Sequence, residues 1–543
     1  MPEVITAIGR EVGVVDLDQF SLDEVRRIME TLRQTLGFTR EEVAKVRETF
    51  ERYDRDESGD LGVKELVGAL GWLGFVQSKD DVDAVLTTAG LSDCESLQWH
   101  EFLGSIRRVK ENEIKRVRKL VGYDRIDVSV QVIPVEEVER VLVSLRYFPN
   151  SDAVQETLSE ACTSKIKTHL SLAEFWRVLE LYRSRDGFTR VELTEIKAEF
   201  DRVAGSRSTE INSLYLGRVL RGLGYLTRWE IQQRLVQEVD LDGSGTLDFN
   251  EVLKVVRKLR ETELTKVQDV FYACLPEGED RIIGHACKEA LHQLGFNDIS
   301  SLWKQEGRAK EGALVLALLA MQQTLAGKGD GLAYNGFATL VIRMMNSKRR
   351  ALVKNAGFSA GELEQLQMIF KKYDEDGNGV IKNAEMRALL ADFFPKQIQT
   401  SIGIAYLKEL MKEIDQDGNE ELDFKEFTYL VQQFNIGMEE AYLAKERAAI
   451  ETAKFSSQEV EAFRDIFLGY DPDNPRPTLA FDEVKTMLGD IVPMGAGHMR
   501  QLWQVFEEFS TVEVDEEDGT ETRRADFPDY LLLMRSLLGI NFA

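Results

Sequence analysis

Cysteine is scarce: Cys94, Cys162, Cys274 and Cys287 are the four in a chain of 543 residues, and none stands in a CxxC spacing. So sparse a set excludes a disulfide framework and a cysteine-held metal cluster, and fits a reducing compartment. Histidine numbers five, no glycine-rich phosphate loop follows a strand, and no nucleophile–base constellation stands out, so no enzyme is expected. Excess positive charge is missing as well. The formal charge of −26 repels nucleic acid and anionic membranes, which leaves cations and basic helices as partners. Long apolar runs are lacking: the longest, residues 313–321, is half or less of the roughly 20 residues needed to span a bilayer and reads as buried core helix. The first residues place acids where a secretory leader needs a basic start, Pro2 stands where N-myristoylation requires glycine, and the chain ends without a prenylation signal. A cytoplasmic protein without membrane insertion is expected.

What is present suits folded domains. Hydrophobic residues at 43% and aromatics at 9% can build packed cores despite 30% charge. The length exceeds what one core supports, so several domains are expected. Internal periodicity shows how they divide. The phrase Phe-Thr/Ser-x-x-Glu-apolar occurs at Phe38, Thr39, Glu42 and Val43, and again at Phe188, Thr189, Glu192 and Leu193. It returns at Phe358, Ser359, Glu362 and Leu363, and at Phe455, Ser456, Glu459 and Val460. Each reads as a helix start, with the hydroxyl capping backbone N–H groups, the Glu reaching back and the apolar pair forming a hydrophobic staple. Fifteen residues after each capping hydroxyl comes the first position of a loop, at Asp54, Ala204, Asp374 or Asp471. Ala204 marks a loop that has lost its ligands and kept its place.

Three twelve-residue loops carry the strongest chemistry, at 54–65, 240–251 and 374–385. A hard cation such as Ca²⁺ takes about six to eight oxygens, which loop positions 1, 3, 5, 7 and 9 supply together with a bidentate Glu at position 12. In the first loop the ligands are Asp54, Asp56, Ser58, the carbonyl of Asp60 and Glu65, with Gly59 at the sharp turn. In the second they are Asp240, Asp242, Ser244, Thr246, Asp248 and Glu251 around Gly245. The third offers Asp374, Asp376, Asn378, the carbonyl of Val380 and Glu385; Lys382, at position 9, cannot coordinate, and water fills its place. A fourth loop at 415–426 keeps Asp415, Asp417, Asn419, Glu421, Asp423 and Glu426 but has Glu420 where glycine is expected. Holding a non-glycine residue left-handed costs on the order of 1–2 kcal/mol, so this site is expected to bind roughly tenfold more weakly. An isolated Asp-x-Asp-x-Asn/Ser-Gly can be a plain turn. Full spacing with a terminal Glu, repeated in register, favours the metal.

These residues resemble the EF-hand superfamily, most closely calmodulin, centrin and troponin C. The resemblance implies an all-α tandem array of paired helix-loop-helix units, each pair joined by a short two-stranded contact between apolar residues at loop position 8. Six pairs are expected, through Leu61 with Leu97, Ile133 with Leu170, Ile211 with Leu247, Ile282 with Leu332, Ile381 with Leu422, and Leu479 with Ala525. The corresponding divisions are a helical extension at 1–36 and pairs at 37–110, 111–184, 185–260, 261–347, 348–440 and 441–543. Calcium is expected at the first loop of the first pair, the second loop of the third and both loops of the fifth. Elsewhere the loops at 90–101, 126–137 and 163–174 lack acidic clusters, and Leu275 and Gly336 stand at inferred ligand positions. Pro472, Pro475 and Pro477 disturb the turn around Asp471 and Asp473, and the acidic insertion 512–524 before Asp526 and Asp529 reads as a solvated loop.

Methionine numbers 13, few for a promiscuous sensor, yet Met368, Met386 and Met411 fall within 357–436. Core filling and a calcium-opened groove for an amphipathic helix are both open readings there. Basic segments starting at Arg107 and Met344 read as solvated connector helices, with an internal ligand for an acidic lobe as the alternative. The resemblance thus implies a calcium-responsive structural or regulatory protein with Ca²⁺ as cofactor and partners that present amphipathic helices. The alternatives are a constitutive scaffold of a cytoskeletal or ciliary assembly with static calcium sites, and a calcium buffer. Likeness to centrins is what suggests the cytoskeleton.

Overall fold

The computed structural model describes Gly9, Gly13 and residues 21–540 apart from 55–57, 76–78, 92–93, 121–131, 163–167, 206–207, 241–243, 277, 297–330, 394–407, 409, 413, 416–418, 420, 471–477, 490–494 and 515–520. Asp56, Asp242, Asp417 and Glu420 lie outside the described residues, as do the 313–321 run and the acids and prolines of 471–477.

Helices dominate, and their starts follow the repeated phrase. Thr39, Thr189, Ser359 and Ser456 each accept a bond from the backbone N–H of the Glu at the third helical position, whose carboxylate in turn accepts one from the N-cap N–H. These reciprocal caps satisfy donors that a helix start leaves orphaned, and each contributes about 1 kcal/mol. The helices they open are Arg40–Tyr53, Arg190–Ala204, Ala360–Tyr373 and Ser457–Leu468. Asp54 and Asp374 leave the helix alike, at φ −79° with ψ 72° and 75°. At Ala204, which has no carboxylate to draw the chain into a loop, the residue stays helical and the chain exits on Gly205 at φ 74°.

Short antiparallel ladders join the loops. Leu61 faces Leu97, Ile133 faces Leu170, Ile282 faces Leu332, Ile381 faces Leu422, and Leu479 faces Ala525. Ile211 and Leu247 lie in the strands Glu210–Asn212 and Thr246–Asp248 of one two-stranded sheet. Apart from half-buried Leu332, all these side chains are buried. A fully buried Leu or Ile contributes about 1.5–3 kcal/mol, so a ladder can hold two loops together whether or not either carries metal ligands. The acidic insertion is more than a solvated loop. Its ends, Thr511–Val514 and Glu521–Ala525, pair antiparallel and extend the Leu479–Ala480 strand into a three-stranded sheet. Val512 and Thr522 supply β-branched side chains that favour the pleat, a pattern hidden beneath the segment's charge.

Separate hydrophobic clusters accompany the ladders. They gather around Phe50, Leu61 and Phe102; Ile133 and Phe175; Phe271, Ile282 and Phe337; Phe370, Ile381 and Phe427; and Phe467, Leu479 and Tyr530. Long helices pass from one cluster to the next. Trp99–Leu120 gives Phe102 to the first and Val117 to the second, and Phe424–Ala453 gives Phe427 to the fourth and Leu443 to the fifth. The connector that begins at Arg107 is therefore partly packed rather than simply solvated. Its Glu113 is buried, with Arg183 closing on both carboxylate oxygens at 2.7 and 2.6 Å. The chain divides into one unit of Met1–Ile211 with Glu238–Arg350 and another of Asn212–Gln237 with Ala351–Ala543, so segment 185–260 contributes to both. Among the described residues no helix is long and apolar enough to cross a membrane.

Candidate metal centre

At 374–385 the acids converge. One carboxylate oxygen each from Asp374, Asp376 and Glu385 lies within 4.8 Å of the others. Asp374 ends the helix Ala360–Tyr373, Glu385 lies in the first turn of Asn383–Phe393, and the ladder residues Val380–Ile381 fix the chain between them. The Gly379 N–H donates to Asp374 Oδ2 at 3.0 Å from a backbone at φ 86°, an angle that side chains resist. The Asn378 N–H donates to Asp374 Oδ1 at 3.0 Å and Asp376 Oδ1 at 3.1 Å, and the Val380 N–H donates to Asn378 Oδ1 at 2.9 Å. Glu385 folds back across the loop: Oε1 accepts from the Glu375 N–H at 3.0 Å and Oε2 from the Lys382 N–H at 3.3 Å. Carboxylates this close repel one another unless a cation sits among them. An all-oxygen donor set suits Ca²⁺ better than metals that prefer nitrogen or sulfur. Lys382 Nζ stands 3.4 Å from Glu421 Oε1 in the sister loop.

That sister loop, 415–426, shows the same wiring where it is described. The Asn419 N–H donates to Asp415 Oδ1 at 3.2 Å, the Glu421 N–H donates to Asn419 Oδ1 at 2.7 Å, and Asp423 with Glu426 caps the helix Phe424–Ala453. In the other unit, the Gly59 N–H donates to Asp54 Oδ2 at 3.0 Å and the Gly245 N–H to Asp240 Oδ2 at 3.1 Å, with both glycines left-handed. The Asp60 carboxylate accepts from the Ser58 hydroxyl at 2.7 Å and from Ser96, in the partner loop, at 2.6 Å. The Asp60 carbonyl, the position-7 atom, accepts from the Ser58 hydroxyl at 3.3 Å. In the 240–251 loop the Thr246 hydroxyl donates to Glu210 Oε2 at 2.7 Å, and Ser244 Oγ lies 3.1 Å from Thr246 Oγ1.

The terminal Glu has a second use that spacing alone does not reveal. Glu65 Oε2 accepts from the Gly62 N–H at 3.1 Å, and Asp248 with Glu251 forms a capping box. Ligand-poor loops do likewise: Glu101 accepts from the Gln98 N–H at 2.9 Å, Glu483 from the Ala480 N–H at 2.6 Å, and Glu174 boxes with Ser171. A terminal Glu by itself therefore reports a helix start, and only the acids before it report a metal.

Residues 363–432 match the family model for an EF-hand domain pair. This span contains both the converging loop and its sister, and EF-hand domains generally bind Ca²⁺ through such oxygen shells. Fimbrin of Dictyostelium discoideum is 32% identical over 74 residues, which is 14% of this chain and 12% of that protein. The chain thus spans a small part of that relative's length.

Two protein cations at loop carboxylates were out of reach of sequence patterns. Arg52 pairs with Asp248 and Glu251, 196 and 199 residues away, at 2.9 Å each. Lys445 Nζ lies 2.8 Å from a carboxylate oxygen of Asp526 and 2.8 Å from one of Asp529. With Ala525 at loop position 8, these two acids hold positions 9 and 12. Burial pushes the Asp529 carboxyl up to about 6 in spite of the lysine beside it.

Proposed function

We propose that the chain is a calcium-responsive structural or regulatory protein, built as a tandem array of EF-hand pairs, that binds partner proteins through their amphipathic helices. The observation that supports it best is the convergence of Asp374, Asp376 and Glu385 inside the EF-hand pair. Calcium would be held there by these acids with Asn378 and the Val380 carbonyl, and at 54–65, 240–251 and 415–426 by the equivalent residues. Bound, the ion supplies positive charge among crowded carboxylates. The residues supply order: Glu385 closes the loop and, from the first turn of Asn383–Phe393, sets that helix against Ala360–Tyr373. Met386 and Met411 pack on the local core, whereas Met368 is exposed and offers an apolar contact to a partner helix. A cytoplasmic setting is part of this proposal, and the resemblance of the loops to centrins supports a cytoskeletal one.

A static scaffold is the second reading, favoured by buried ion pairs that hold segments together without any metal. Asp186 accepts from Lys254 and Arg257 at 2.7 Å each, and Arg183 closes on buried Glu113. Calcium calorimetry on the full chain and its Glu385→Gln variant, with millimolar Mg²⁺ present, tests the shared claim. Loss of one site supports it, and unchanged binding overturns the ligand assignment. Small-angle scattering with and without calcium then separates the two readings, since only the responsive protein changes shape.

A further inference from the structure

The 240–251 loop differs from the 374–385 loop in what its terminal Glu touches. Both oxygens of Glu251 are engaged: Oε2 accepts from the Asp248 N–H at 2.8 Å, and Oε1 accepts from Arg52 Nη1 at 2.9 Å. Arg52 Nη2 takes Asp248 Oδ2 at 2.9 Å, so one guanidinium spans loop positions 9 and 12. The pair is sheltered, with the Arg52 side chain 18% exposed and Glu251 5%. It is also fixed from behind, because the guanidinium lies 4.5 Å from the ring centre of Trp72 and Lys254 Nζ lies 5.6 Å from the same ring. Arg52 sits in the last turn of Arg40–Tyr53, two residues before Asp54, the first ligand position of the 54–65 loop. A bidentate calcium shell needs both Glu251 oxygens and draws on Asp248. The ion and the guanidinium therefore want the same atoms.

We propose that Arg52 is a built-in competitor for calcium at the 240–251 loop, and that calcium entering this loop releases Arg52 and with it the tie between the 54–65 hand and the 240–251 hand. The inference rests on the reading that the 240–251 loop binds calcium. Competition of this kind lowers the affinity of the loop, and by reciprocity calcium weakens the tie by the same factor. It also makes affinity depend on salt, which screens the guanidinium pair.

The test uses the full chain with Glu65→Gln, Glu385→Gln and Glu426→Gln, so that 240–251 is the remaining consensus loop. Calcium affinity is read by calorimetry before and after adding Arg52→Met, with Arg52→Lys as a variant that keeps the charge and loses the fork. The expected result is a roughly three- to tenfold tighter site in Arg52→Met and a smaller gain in Arg52→Lys. Trp72 gives a second reading. The calcium-induced change in emission that Trp72→Phe abolishes should also vanish in Arg52→Met. Equal or weaker binding in both Arg52 variants overturns the proposal while leaving the loop a calcium site. No binding in any of these proteins overturns the reading of the loop and the proposal together.

Discussion

The loops at 240–251 and 374–385 carry nearly the same acids, yet their terminal glutamates are used differently. Glu385 bends over its own loop, onto the Glu375 and Lys382 N–H groups, and its carboxylate gathers with Asp374 and Asp376. Glu251 is held instead by an arginine from a distant helix. The C-terminal segment takes the second arrangement further, with Lys445 shared between Asp526 and Asp529. The difference teaches that a loop's acids need a cation, and that the chain can provide one itself. Where the protein cation is present, the loop can remain folded without metal; the acids that gather at 374–385 repel one another unless a cation joins them.

Glu385→Gln should break this comparison most severely. Removing one charge from the converging trio should weaken that site by on the order of a hundredfold, about 2.7 kcal/mol, as read by calorimetry. Lys445→Met comes next. It leaves the Asp529 carboxylate, about 8% exposed, without its ammonium, and should lower the stability of the 441–543 region by about 1–2 kcal/mol in urea unfolding. The pH dependence there has a definite sign. Because burial raises the Asp529 carboxyl to about 6, above the ordinary value of about 3.9, its contribution is fully present below the ordinary value and is lost as the pH rises through about 6. Stability of this region measured across that window should therefore fall with rising pH, and a rise would show that the ion pair outweighs the burial. Lys382→Asp should have the smallest effect. It supplies the missing position-9 ligand and should tighten the 374–385 site about three- to tenfold, less whatever the lost contact with Glu421 contributed.

Local chemistry was legible in the sequence. The caps at Thr39, Thr189, Ser359 and Ser456, and the facing pairs such as Leu61 with Leu97 and Leu479 with Ala525, depend on short spacings and on apolar side chains that must be buried. The glycine turns at Gly59, Gly245 and Gly379 were legible for the same reason, since a left-handed backbone restricts residue type. What could not be read was set by tertiary contact. Nothing near Arg52 in the chain points to Glu251, and Lys445 lies 81 residues before Asp526. The hairpin arms at Thr511–Val514 and Glu521–Ala525 were masked by acids that dominate composition while the β-branched residues between them set the conformation.

Calcium calorimetry on the unmodified full chain, with millimolar Mg²⁺ present, tests the central claim most directly. The account predicts saturable calcium binding at the loops 54–65, 240–251, 374–385 and 415–426, with the last weaker than 374–385. An absence of calcium heats under those conditions would contradict it.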